Sequence, residues 1–279
     1  MGHMGLVLKL VDHWAPRRFD GGMVADGRVS GGSSTGGVAG IVAELWRYPV
    51  KSMLGERCEK VELDRRGVFG DRLWAVQDAG GKLGSGKNTR RFRRIDGLFG
   101  FSARSDGTVP VVTFPGGRQV RGDDPQIDEQ LQCALLRTDV RLAREAAVSH
   151  FDQAPLHFVT DASLAWLTGA VTDAAVDARR LRPNLVIATG QSAGFAEDAW
   201  VGRTARIGRS VMVEFTHRTE RCAMVNDAQD GLPHSSQVLR AVAEANGLSL
   251  GIYATVIRTG LVHLGDEIEM LPSRRSEDR

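Results

Sequence analysis

The chain has 279 residues with 36 Lys plus Arg against 34 Asp plus Glu, a formal net charge of +2. That balance excludes a bulk polycation that coats nucleic acid. No run of about 18 apolar residues is present, which excludes a helical membrane span. Three cysteines, Cys58, Cys133 and Cys222, are far apart without a CxxC pair. They exclude a disulfide scaffold, a four-cysteine zinc site and a four-cysteine iron–sulfur cluster, and they fit a reducing, cytoplasmic setting.

Residues 1–38 hold a Gly/Ser tract, Gly31-Gly32-Ser33-Ser34-Thr35-Gly36-Gly37. Having little to bury, they are expected to form a flexible tail outside the fold, with Met23 as a second possible start. The apolar burst Leu6–Val11 is too short for a secretory signal. From residue 41 to 50 the chain reads as a strand ended by Pro49. Val61–Leu63 reads as a further strand, and Phe69–Gln77 alternates like one. Residues 109–114 and 119–121 flank Pro115-Gly116-Gly117 as a hairpin. A helix is expected over 125–136, capped by Asp123 or Asp124, with Ile127, Leu131 and Leu135 on one face.

The second half opens with a helix start at Asp161. A strand falls within 181–188, and two short strands over 204–215 join at Gly208-Arg209-Ser210. An amphipathic helix spans 234–246, with Ser235 or Ser236 as cap and Gly247 as terminator. Residues 252–257 and 264–271 are expected to close the chain as a hairpin about Thr259-Gly260. Without a sustained strand–helix alternation, the expected fold is mainly β with a few helices: two strand-rich units over 39–150 and 151–272, and a tail over 273–279.

Chemistry concentrates at Cys222, in His217-Arg218-Thr219-Glu220-Arg221-Cys222. Cations at this spacing favour a thiolate, which is a nucleophile or a soft-metal ligand. The other reading of a lone cysteine is a small core residue, and that reading is favoured for Cys58 and Cys133. A basic, glycine-punctuated series, Lys82, Lys87, Arg90, Arg91, Arg93 and Arg94, suits either a phosphate or a solvated loop. Lys51-Ser52 and Asp71-Arg72 add anion-binding donors just past strands. Asp227 and Asp230 read as an acidic turn rather than a metal site.

Several segments together resemble the MOSC proteins, in the class that joins an N-terminal MOSC β-barrel domain to a MOSC β-barrel domain. The mitochondrial amidoxime-reducing component and its bacterial relatives belong to this class. Trp46-Arg47-Tyr48-Pro49-Val50-Lys51-Ser52, Gly70-Asp71-Arg72-Leu73-Trp74, Leu181-Arg182-Pro183-Asn184, Ala196-Glu197-Asp198-Ala199-Trp200, Arg221-Cys222, Gly251-Ile252-Tyr253 and Gly265-Asp266 match its motifs in order.

The resemblance implies a molybdenum cofactor (Mo-molybdopterin). Cys222 would be its metal ligand and catalytic thiolate. Lys51, Ser52, Arg72, Arg182 and Asn184 would lie around the pterin and its phosphate, Tyr253 near the cofactor and Arg221 against the cysteine, with Lys87–Arg91 as a further basic element. It also implies an oxidoreductase acting on small N-hydroxylated substrates. A separate protein, of ferredoxin, flavoprotein or cytochrome b5 type, would donate the electrons. The alternative within the resemblance is a non-catalytic carrier of sulfur or cofactor. Neither nucleic acid nor pyridoxal phosphate is expected as a ligand. Glu220 and Ala154 stand where the animal enzymes have hydroxyl residues, and the segment from Cys222 to Gly231 is one residue shorter than theirs.

Overall fold

A computed structural model of the chain describes residues 37–190 and 193–272. Seven strands close into a barrel. In order round it they are Leu185–Ala188, Leu156–Thr160, Ser249–Arg258, Val211–Glu220, Thr204–Ile207, Glu267–Met270 and Gly37–Arg47, which pairs back onto Leu185–Ala188. One long strand can serve three partners because its register shifts twice. Gly37–Ile41 pairs with Met270–Glu267, Ile41–Leu45 with Ala188–Leu185, and Leu45–Arg47 with Cys58–Glu56. Such bulges bend a strand enough to turn a barrel corner.

The barrel interior is filled by alternate residues of each strand, among them Leu45, Phe158, Leu185, Phe215, Ile252 and Ile268, all buried. Phe158 and Phe215 meet edge to face at 5.2 Å. Leu156–Thr160 and Leu185–Ala188 run parallel, and the helix Asp161–Ala170 lies between them in sequence. That helix and Gln237–Asn246 cover one side of the barrel through Leu167, Val238 and Val242. A second core, including Met53, Val76, Phe101, Phe114 and Leu131, gathers the short sheets of residues 50–142.

The mainly β architecture is as expected, with four local corrections. Gly37 and Val38, assigned to the tail, already pair in the barrel; residues 1–36 and 273–279 lie outside the described residues. The alternation from Phe69 is not one strand. Gly70 and Arg72 adopt left-handed backbone and only Trp74–Asp78 is extended. No hairpin forms about Gly260. Gly260–His263 pairs with Lys60–Asp64, where Val262 joins Val61 and Leu63 in the core, and Glu267–Met270 returns to the barrel. Cys133 is exposed rather than core, because helix Ile127–Leu135 turns Ile127 and Leu131 inward. The caps fall among the expected residues. Asp124 accepts the Gln126 N–H at 2.8 Å just before that helix, and Ser235 accepts the Gln237 N–H at 3.2 Å, while Gly247 ends the last helix in left-handed backbone.

Candidate cofactor site

Three turns build the site. Pro49 ends the first barrel strand and throws Lys51 and Ser52 into a turn, Ser52 with φ 64°. This turn and that of residues 71–74 bind each other's backbone: Arg72 N–H donates to the Tyr48 carbonyl at 2.7 Å and Lys51 N–H to the Trp74 carbonyl at 2.8 Å. The Asp71 carboxylate, fully buried, locks the junction by accepting the Tyr48 N–H at 2.7 Å. The third turn ends the short helix Ala178–Leu181 at Arg182, whose φ is 54°. Six non-glycine residues have left-handed φ among the described residues, and Ser52, Arg72 and Arg182 are three of them. Strain of this kind gathers at binding sites, where surrounding contacts hold it in place.

All eight residues singled out from the sequence line one cleft: Lys51, Ser52, Arg72, Arg182, Asn184, Arg221, Cys222 and Tyr253. It holds about 790 Å³ of empty space, its open mouth included. The Arg182 carbonyl is a hub, accepting from Arg72 Nη2 at 3.1 Å and lying 3.4 Å from His157 Nδ1. Arg221 Nη2 donates to the neighbouring Leu181 carbonyl at 2.7 Å, and its Nη1 lies 3.4 Å from His157 Nε2. A neutral imidazole protonated on Nδ1 satisfies both contacts, donating to Arg182 and accepting from Arg221. Burial, with Arg221 beside it, holds His157 well below the usual histidine range. Gly251, φ 91°, makes room for this ring: a Cβ there would lie 2.4 Å from His157 Nε2.

The cleft is strongly cationic. Lys51 is 4% exposed and burial lowers its pKa to about 8, although Asp152, 3.0 Å from its Nζ, works the other way. Burial would raise the Asp152 carboxyl, but Lys51 and Lys87 outweigh it and hold the group well below the usual range. Burial and the like charge of Arg72 push Arg182 down to about 10. Arg182 Nη2 and Arg221 Nε are buried without a hydrogen-bond partner. Unpaired buried donors on crowded cations are the complement of an anion.

Cys222 is half-buried at the start of the turn Ala223–Asn226, within electrostatic reach of Arg221 and Tyr253. Of its three flanking basic residues in sequence, only Arg221 lines the cleft. His217 meets Gln153 at 2.9 Å, and Arg218 turns to Asp198 and Asn246. The basic series also divides. Lys87 faces the cleft, Arg93 and Arg94 pair with Asp78 and Asp96, and Arg91 holds the carbonyls of Ser149, Phe151 and Asp152. Ser52 donates to the Gly84 carbonyl at 3.0 Å. Asn184 uses its amide to join strands, accepting from His157 N–H and donating to the Trp46 carbonyl. Glu220 lines the mouth but is exposed, so water solvates its charge.

Sequence reasoning missed Asp152, His157 and Arg180, which also line the cleft. Nothing local marks the first two. Arg180 was visible only as a charged residue beside Leu181. No group of three or more His, Cys, Asp or Glu side chains is placed to hold a metal among the described residues.

Comparison with known proteins agrees with this layout. Residues 39–157 match the MOSC N-terminal beta barrel domain and residues 145–269 match the MOSC domain. The chain therefore belongs to the MOSC proteins, in the class that carries the N-terminal barrel domain before the MOSC domain. Members of this family are associated with the molybdenum cofactor. The YuaD protein from Bacillus subtilis is similar at 14% identity and TM-score 0.45, over 83% of this chain and 94% of that one. YiiM from Geobacillus stearothermophilus is similar at 13% identity and TM-score 0.32, over 42% of this chain and 54% of that one. No curated protein sequence matches significantly. No helix among the described residues is long and apolar enough to cross a membrane.

Proposed function

We propose that the cleft holds a molybdenum–pterin cofactor with Cys222 as its protein ligand, and that the protein reduces small N-hydroxylated compounds with electrons from a separate donor protein. The observation that carries this reading is the meeting of one half-buried thiol with Lys51, Arg72, Arg182 and Arg221 in a single cleft, two of whose guanidinium nitrogens lack partners. The donor set fits the group. A single thiolate is a soft ligand suited to molybdenum, and guanidinium forks suit a phosphate.

In this reading Lys51 and Arg182 bind the phosphate end, Arg72 holds the Arg182 turn beside them, and Ser52 shapes the turn that carries Lys51. Arg221 stands against Cys222, balances the thiolate charge and is steered by His157. Tyr253, whose phenol burial holds protonated, lines the wall within reach of Arg221 and Cys222. When bound, the metal would supply the two-electron chemistry that converts N–OH, with two electrons and two protons, to N–H and water. The protein's own part is to fix that centre and leave the mouth open to substrate and donor.

The test is expression in a host that makes the cofactor, elemental analysis for molybdenum, and benzamidoxime reduction driven by reduced methyl viologen. Bound molybdenum and turnover, both lost in Cys222→Ser, are the expected result. A persulfide on Cys222 without metal or turnover would overturn it in favour of a sulfur carrier.

A further inference from the structure

A second cleft adjoins the first, sharing Ser52 and Met224 as a common wall, with about 530 Å³ of empty space. Its floor is apolar, with Ile95 and Leu98 buried beneath it. Among the described residues its one charged group without a partner is Asp227. This half-buried carboxylate takes no hydrogen bond and no ion pair, although its backbone is fixed: the N–H donates to Met224 and the carbonyl accepts from Arg180. The carboxylate faces the cleft beside Gly86, where a Cβ would lie 3.4 Å from Asp227 Oδ2 and 2.3 Å from Met224 Cγ. Only glycine lets Met224 lie there. Arg94, the nearest candidate cation, is committed to Asp96 at 2.8 Å.

We propose that this cleft is a binding subsite for small organic cations of the amidinium or guanidinium class, with Asp227 receiving the planar cation and the Ile95–Leu98 floor its apolar body. A carboxylate and an amidinium match as a bidentate pair, and an unpaired carboxylate in a half-dry cleft gains most from such a partner. Burial raises the Asp227 carboxyl, and Arg94 and His234 offset it only in part. Met224 follows Cys222 by two residues, so a molecule seated here lies next to the thiol cleft. That the occupant is substrate or product rests on the function proposed above; that the cleft takes the cation does not.

The experiment is calorimetric titration of the full chain with benzamidine and with neutral, isosteric benzamide. Benzamidine is expected to bind more tightly, and Asp227→Asn to weaken it by about tenfold while leaving benzamide unchanged. Asp139→Asn, an exposed carboxylate outside the cleft, should stay within about twofold. Gly86→Ala should weaken both probes, because its Cβ displaces Met224 into the cleft. The Asp227 side chain makes no bond to lose, so an unchanged melting temperature checks the fold of that variant. Equal binding of the two probes, no binding to the native chain, or an Asp227→Asn variant that binds benzamidine normally would overturn the proposal. Molybdenum content and viologen-driven turnover are read separately, so a missing reductase with an intact Asp227-dependent site sinks only the earlier reading. An active reductase whose benzamidine binding is indifferent to Asp227 sinks only this one.

Discussion

Arg72 Nη2 donates to the carbonyl oxygen of Arg182 at 3.1 Å, across 110 positions of sequence. The two guanidinium groups also sit over the same Tyr48 ring, at 4.8 and 4.2 Å. One aromatic ring and the carbonyl of a left-handed residue thus hold together two cations that repel each other. Arg72 tolerates this because it pairs with Asp71, whereas Arg182 keeps a nitrogen without any partner. Arg72 is the structural member of the pair, and Arg182 the one free to take an anion.

Removing Arg72 should therefore cost stability even without any ligand. Asp71 is fully buried and Arg72 is its cation. Arg72→Ala leaves that carboxylate uncompensated, a loss of about 3–5 kcal/mol. Denaturant unfolding of the ligand-free protein checks it. Arg182→Gln should cost much less in the same experiment, because burial and Arg72 already disfavour its charge, while reducing retention of an anion by about tenfold or more.

The three cysteines should separate cleanly. Cys222→Ser should fold normally and lose both molybdenum retention and turnover, since a hydroxyl is a harder and far less acidic donor. Cys133→Ser, on an exposed helix face, should change neither stability nor activity. Cys58→Ser loses packing against the barrel core and an Arg47 contact at 3.5 Å, about 1 kcal/mol of stability, with activity kept. Parallel melts and viologen assays on the three variants read this directly.

What was legible in the sequence was local. Turn residues marked most strands, amphipathic spacing marked the last helix, and Cys222 stood out beside its basic neighbours, whereas Arg182, Asn184 and Arg221 came only from the resemblance to the MOSC proteins. What was not legible depends on partners far along the chain. Nothing near His157 says that it bridges Arg182 and Arg221. The alternation at Phe69 does not show that Asp71 will be drawn to the Tyr48 N–H and break the strand. A closing hairpin was the economical reading of the last thirty residues until Lys60–Asp64 offered Val262 a place in the core.

Lys51 gives a pH signature of defined sign. Its folded value of about 8 lies below the ordinary 10.5, so between those values the unfolded chain binds more protons. The stability owed to this residue therefore rises with pH across that window and is lost as pH falls through about 8. Anion binding runs the other way, because it needs the ammonium. Thermal stabilisation by inorganic phosphate should fade as pH rises through about 8, and in Lys51→Met it should be small and flat. A phosphate effect in the native protein that is unchanged across this range would exclude Lys51 from the anion site.

Arg180 sets the position of everything that follows Cys222. It is 1% exposed, and its guanidinium donates to the carbonyls of Ala175, Val225, Asp227 and Pro233. Three of these lie in the segment that carries Met224 and Asp227, so one side chain nails that segment to the helix Ala178–Leu181. Arg180→Met keeps most of the length and removes every donor, leaving buried carbonyls at about 1–3 kcal/mol each before water enters. The expected outcome is a melting temperature lowered by several degrees, with hydrogen exchange accelerated over residues 223–233 and not in the barrel strands. Alkylation of Cys222 by iodoacetamide should quicken as its turn loosens. Arg180→Lys, with three donors on a flexible stem, should recover only part of each effect. Exchange that quickened equally throughout the barrel would mean that Arg180 supports the fold at large rather than this segment.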